Sequence, residues 1–183
     1  MNTVVIFVPG IKTEVKYLSF WKSYLAKTFP TTETIFVEGR YHYSEHEKLI
    51  EKRDYLIKVI QNLDAEQKVV LITHSYGSII AKSALDSLED TARITYISMA
   101  GPHDPSLEDI TESKEILGYE YGKPEYQTYT YGGYFDTTVR PNASQLPHTK
   151  HLNVFVGHTW FIIPKIPMLS RIKKDLNILV SGK

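Results

Sequence analysis

Lys68-Val69-Val70-Leu71-Ile72-Thr73-His74-Ser75-Tyr76-Gly77-Ser78-Ile79-Ile80-Ala81-Lys82-Ser83-Ala84-Leu85 changes its hydrophobic period once, and the change falls on a serine. Val69 to Ile72 is a continuous apolar run, as expected of a strand buried on both faces. Beyond Ser75, the residues Ile79, Ile80, Ala84, Leu85 and Leu88 recur at helical spacing. A strand that stops near Thr73 and a helix that starts after Ser75 leave the serine hydroxyl clear of the sheet edge. A helix N-cap has the same local pattern, so the meaning of Ser75 depends on what the rest of the chain places beside it.

Outward from this stretch, short β-branched runs alternate with helix-period segments, which predicts βαβ units and a mostly parallel sheet. Thr3 to Val8, Thr34 to Val37, Val69 to Thr73, Arg93 to Met99, Gln127 to Tyr131 and Leu152 to Val156 read as strands. Between and beyond them, helical stripes are formed by Tyr17, Phe20, Trp21, Tyr24, Leu25 and Thr28, by Leu49, Ile50, Leu56, Ile57, Ile60 and Leu63, and by Leu169, Ile172, Leu176 and Leu179. A weaker helical pattern runs from Leu107 to Leu117 within the acidic, polar segment Pro105 to Gly122. Right-handed crossovers then give a three-layer α/β/α sandwich with a sheet of about six strands, the whole chain 1–183 reading as one domain. In such a sheet ligands bind beyond the strands' C-terminal ends, so a functional residue is expected just after a strand.

Composition narrows the chemistry. With 21 Lys plus Arg against 21 Asp plus Glu, the chain has no net field to hold nucleic acid. It has no cysteine, which excludes disulfides, zinc thiolate sites and a cysteine nucleophile. No run is long enough for a transmembrane span, and the N-terminus lacks the basic start of a signal peptide. A cytoplasmic location is the expectation, or a secreted one if a leader has been removed.

Serine needs an imidazole to take its proton, and the imidazole needs a carboxylate to fix its tautomer. Ser75 follows the third strand, Asp136 follows the tyrosine-rich strand, and His158 follows the last strand in Val156-Gly157-His158-Thr159. Asp104 also follows a strand and is the other candidate acid. His148 and His151 are expected before the last strand, at the wrong end of the molecule, and His74 is expected to pack beneath the turn. The backbone N–H groups of Tyr76 and Ile11 are placed to hold an oxyanion, one at a helix start and one just after Pro9-Gly10.

At these residues the chain resembles the α/β-hydrolase superfamily, and within it the small, nearly lidless bacterial lipases and esterases. Thr73-His74-Ser75-Tyr76-Gly77 is similar to their nucleophile pentapeptide, with Thr73 in place of the usual first glycine. Val8-Pro9-Gly10-Ile11 sits where they carry His-Gly and the oxyanion loop, with Pro9 replacing the histidine. Asp136-Thr137-Thr138-Val139 resembles their acid-bearing turn, Asn153 to His158 the segment that delivers their histidine, and Met99-Ala100-Gly101-Pro102-His103 their Gly-Thr-Pro-His segment. The resemblance covers almost the whole chain. It implies a minimal α/β-hydrolase fold without a large cap, hydrolysis of carboxylic esters through an acyl-enzyme on Ser75, and a Ser75-His158-Asp136 triad. A thioesterase, a peptidase, a lipid deacylase or a non-catalytic binding protein on the same fold are the alternatives.

The expected ligand is a small-molecule or lipid ester, and the serine mechanism needs no cofactor and no metal. His42 and His46, with Glu45 and Glu47, have a spacing that can hold metal but lack a full His-Glu-x-x-His signature, so a solvated helix start is the expectation. Tyr134, among the tyrosines that run from Tyr119, is a candidate for an aromatic rim on the substrate cleft, and His103 a candidate for its lining. Trp160, a candidate substrate-binding residue, opens an apolar stretch, Trp160 to Ile163 with Ile166 and Met168 beyond it, most of which is expected in the core while its end walls an acyl pocket or meets a lipid surface. Only about Pro105 to Lys123 is available to cover the cleft, which predicts an exposed site.

Overall fold

The computed structural model describes residues 2–11, 13, 15–37, 40–163 and 169–181. Strands β1 (Thr3–Val8), β2 (Glu33–Phe36), β3 (Lys68–His74), β4 (Ile94–Met99), β5 (Gln127–Gly133) and β6 (Lys150–Val154) alternate with helices. Those helices are α1 (Val15–Thr28), α2 (His46–Gln61), α3 (Gly77–Asp86), α4 (Thr111–Ile116) and α5 (Ser170–Ser181). The strands form one six-stranded sheet in the order β2-β1-β3-β4-β5-β6, with every neighbouring pair parallel.

The apolar runs of β1, β3 and β4 are continuous because both faces of the sheet are covered. Val5, Phe7, Val70, Ile72, Ile97 and Met99 point to one face, where they meet Leu18, Trp21 and Leu25 of α1 and Ile172 and Leu176 of α5. Their neighbours Val4, Ile6, Val8, Val69, Leu71, Ile94 and Tyr96 point to the other, against Leu56 and Ile60 of α2 and Ala81, Ala84 and Leu85 of α3. The alternation within each strand thus builds the three layers. A third cluster, including Tyr41, Leu49, Tyr76, Ile79, Ile80 and Leu117, ties α2 and α3 to the segment beyond α4.

The other strand ends fall within one or two residues of the sequence reading, and two elements depart in ways that bear on the site. The last strand runs from Lys150 to Val154 rather than from Leu152 to Val156, because the Val156 N–H turns back onto the Val154 carbonyl and ends the ladder. His151 therefore lies within β6, and His148 sits in the turn before it with a φ of 55°. The helical pattern from Leu107 to Leu117 is split into a 3₁₀ turn over Glu108–Ile110 and the short α4. The register aligns Val8 with Thr73 and His74 with Met99, so the loops after β1, β3 and β4 open side by side.

Candidate active site

Ser75 leaves β3 in the left-handed region, with a φ of 52°. For a residue with a side chain this conformation costs on the order of 1–2 kcal/mol. Its surroundings hold it there: the Ser75 N–H donates to the Met99 carbonyl at 2.9 Å, and the Ser75 carbonyl accepts the Ser78 N–H at 2.9 Å. Thr73, at the position of the pentapeptide's usual first glycine, is buried and satisfied. Its hydroxyl bonds the Ile97 carbonyl at 3.1 Å and the Ser78 hydroxyl at 2.8 Å, so the strain lies at Ser75 itself.

Close approach explains the two glycines around this turn. A Cβ on Gly77 would lie 2.5 Å from the Pro9 carbonyl oxygen and 2.6 Å from that of Val8, and one on Gly10 would lie 2.8 Å from the Ser75 Cβ. Backbone cannot yield as a side chain does, so Gly77→Ala is expected to cost about 1–3 kcal/mol or more of stability. A urea denaturation midpoint unchanged from the wild type would contradict this packing.

The second and third groups come from the loops after β5 and β6. The Asp136 side chain is fully buried; its Oδ1 accepts the N–H groups of Thr138 at 2.9 Å and Val139 at 2.7 Å. Its Oδ2 lies 2.8 Å from His158 Nδ1, and His158 Nε2 lies 2.9 Å from Ser75 Oγ. With a carboxylate on one side, the imidazole proton belongs on Nδ1, which leaves Nε2 as the acceptor for the serine hydroxyl.

His74 packs against this line from beneath. It is buried, its ring centroid is 4.9 Å from that of His158, and its Nε2–H donates to the His158 carbonyl at 3.0 Å. Burial first, and the neighbouring His158 second, push its pKa down to about 3 from the ordinary 6.5. Between those values the folded state binds fewer protons at His74 than the unfolded state, so stability is full above about pH 6.5 and falls as the pH drops through that window. Each unit of pH there costs about 1.4 kcal/mol at full slope. Comparing urea denaturation at pH 7 and pH 5, His74→Asn is expected to lose about 2 kcal/mol less than the wild type does. An equal loss would remove His74 from the account.

The other side of Ser75 is the loop after β1. Tyr41 donates its hydroxyl to the Pro9 carbonyl at 2.7 Å and Thr13 donates to the Gly10 carbonyl at 2.8 Å, which fixes a loop whose proline offers no N–H. Neither the Ile11 N–H nor the Tyr76 N–H meets an acceptor among the described residues. Both residues border, with Ser75, a cleft of about 430 Å³ whose apolar walls include Leu107, Ile110 and Val139. Residues 106–110, within the segment the sequence offered as a cover, thus line the cleft, and α4 after them is fastened by Tyr76 Oη to Ser113 Oγ at 2.5 Å.

Other candidate residues are placed differently. His103 does not line the cleft: it is fully buried, with Nε2 2.8 Å from Ser98 Oγ and Nδ1 2.9 Å from Tyr119 Oη. Burial holds its pKa well below the usual histidine range. Asp104 meets no histidine; its Oδ1 accepts the Ser106 N–H at 2.8 Å, turning the loop through Pro105. The tyrosines divide, since Tyr126 and Tyr131 are core residues, the latter donating to Asp175 Oδ2 at 2.5 Å, whereas Tyr134 is exposed beside the acid-bearing turn. Trp160 is partly exposed in the turn that follows His158, while Phe161 and Ile162 are buried, and Ile166 and Met168 lie outside the described residues. His42 bonds Ser44 and Glu45 locally.

Tyr43 carried no mark in the sequence, and Leu107, Ile110 and Val139 were named only as parts of a cover segment and an acid-bearing turn. They come from three separate segments and look like ordinary core residues, so only their convergence identifies them as cleft walls. The His74 contact was hidden for the same reason, because it reaches across 84 positions to a backbone carbonyl.

No family model matches the chain, and no curated protein matches it in sequence. Solved structures do match in shape. The ydeN gene product of B. subtilis is 16% identical with a TM-score of 0.68, the match covering 96% of this chain and 98% of that one. A YdeN-like hydrolase from Pectobacterium atrosepticum is 17% identical with a TM-score of 0.68, covering 98% and 93%. A methylesterase from Arabidopsis is 13% identical with a TM-score of 0.66, covering 97% and 100%. Identities this low carry the architecture and leave the chemistry to the site.

Proposed function

Because the chain has the α/β-hydrolase fold, we propose that it is a serine hydrolase that cleaves carboxylic esters through an acyl-enzyme on Ser75. The observation that carries this reading is the unbroken line from Asp136 through His158 to Ser75, with its hydrogen-bond distances of 2.8 and 2.9 Å. Ser75 Oγ attacks the acyl carbonyl as its proton passes to His158 Nε2. The oxyanion that forms is held by the N–H groups of Ile11 and Tyr76, each such donor being worth about a hundredfold or more in rate. Collapse breaks the bond to the alcohol, which leaves with the proton from His158. Water then gives its proton to His158 and attacks the acyl-enzyme, and the proton returns to Ser75 as the carboxylic acid departs.

The apolar walls beside Ser75 suit an acyl group, and the likeness to a methylesterase agrees with an ester as the bond cleaved. Covalent labelling with a fluorophosphonate probe is the direct test. Labelling is expected at Ser75 and nowhere else, and an unlabelled wild-type protein would leave a non-catalytic binding fold as the better reading. A panel of esters from acetyl to palmitoyl then separates esterase from lipase, because a lipase gains rate once the substrate exceeds its solubility.

A further inference from the structure

A second cavity adjoins the cleft at Ser106 and Leu107, which border both. It is the larger of the two, about 760 Å³, and its walls carry polar side chains that the ester chemistry above does not use: Asp104, Tyr134, Arg140, Asn142 and Asn153. Its position relative to the triad is informative. Tyr134 and Arg140 to Ala143 flank Asp136, and Asn153 belongs to β6, which leads into His158. Its lining thus comes from the segments that bracket Asp136 and precede His158, and Ser106 and Leu107 connect it to the cleft at Ser75.

The polar inventory selects a kind of ligand. Asp104 Oδ1 is engaged by the Ser106 N–H at 2.8 Å, which leaves Oδ2 as an acceptor. Asn153 Oδ1 is engaged by His151 Nε2 at 3.1 Å, which leaves the Nδ2 hydrogens as donors. The Arg140 guanidinium has no carboxylate within ion-pair distance among the described residues, and Asn142 offers both a donor and an acceptor. One cation and one anion in the same wall give no net attraction for a charged group. Interleaved donors and acceptors suit hydroxyls, which do both. Tyr134 supplies the remaining element: it is 53% exposed yet fixed against Phe155, the ring centroids 4.7 Å apart. A braced aromatic ring beside interleaved polar groups packs the C–H face of a sugar ring while the cavity takes its hydroxyl edge.

We infer that this cavity holds an uncharged polyol or glycosyl group, the alcohol half of the ester, and that the substrate is an acylated sugar or polyol. The inference rests on the ester-hydrolase reading for the role of the bound group, and on the cavity alone for its chemical class. The two are tested separately. In the Ser75→Ala variant, a neutral methyl glucopyranoside is expected to shift the Tyr134 ring resonance saturably, and Asn153→Ala added to that background is expected to weaken the binding about fivefold or more. Absence of a saturable shift overturns the site, as does tighter binding of glucuronate or of inorganic phosphate, or a response to phospholipid vesicles in place of the sugar.

In the wild type, kcat/KM for the same glucopyranoside carrying one acetyl group is expected to exceed that for ethyl acetate by about tenfold or more, an advantage that Tyr134→Ala reduces. A ratio near unity overturns the assignment of the substrate. Hydrolysis of neither ester while the sugar still binds overturns the ester-hydrolase reading and upholds the sugar site.

Discussion

Replacing Ser75 by alanine is expected to lower kcat on an acetyl ester by about a millionfold, with loss of fluorophosphonate labelling and no loss of fold. The nucleophile has no understudy within reach of the imidazole, since His158 Nε2 bonds Ser75 Oγ and Nδ1 is committed to Asp136. What survives is the rate owed to the oxyanion donors and to binding alone. The sharper form of this result is its failure to add. His158→Ala is expected to cost nearly as much as Ser75→Ala, and the double variant no more than either, because each exchange removes the same act of proton transfer. Single-turnover and steady-state rates on one ester settle it. Costs that multiplied in the double variant would mean that Ser75 and His158 act independently.

Asp136→Asn is expected to lower kcat by about ten-thousandfold while leaving the loop in place. The size of the effect follows from the hydrogen bonds around the carboxylate. Oδ1 accepts the Thr138 and Val139 N–H groups, so in the variant the amide oxygen is fixed on that side and the NH₂ group faces His158. His158 Nδ1 must then accept, which moves the imidazole proton to Nε2, and an Nε2 that already carries a proton cannot take one from Ser75. Asp104→Asn is the control on an acetyl ester of ethanol, whose small alcohol does not fill the cavity that Asp104 borders: the Asp104 carboxylate accepts the Ser106 N–H and meets no imidazole, so the exchange is expected to change kcat little. A collapse of activity with Asp104→Asn alone would move the acid to that residue and undo the geometry argued above.

Much of this arrangement was legible in the chain. The period change at Ser75 marked the end of β3, and the order of strands and helices predicted a parallel sheet covered on both faces, which is the architecture found. Expecting functional residues just after strands led to Ser75, Asp136 and His158, which the fold brings within hydrogen-bond distance of one another. His103 also follows a strand and yet is interior, because a Gly-Pro turn folds it back onto Ser98. Strand order alone carries no information about which way a loop returns.

The tyrosines show the same division. Their β propensity predicted a strand from Gln127, whereas the burial of Tyr131 against Asp175 of α5 and the exposure of Tyr134 depend on partners far along the chain.

The sequence by itself determined the layers and the strands that end at the site, because hydrophobic period and turn chemistry are local and are written residue by residue. Only the tertiary structure decided between Asp136 and Asp104 as partner of His158, put backbone strain on Ser75, gave His74 its grip on the histidine loop, and joined the cleft to a larger cavity with polar side chains in its walls. Each of those depends on distances between segments separated by tens of residues, and such distances are set by how whole helices and sheet edges pack, which no single stretch of sequence encodes.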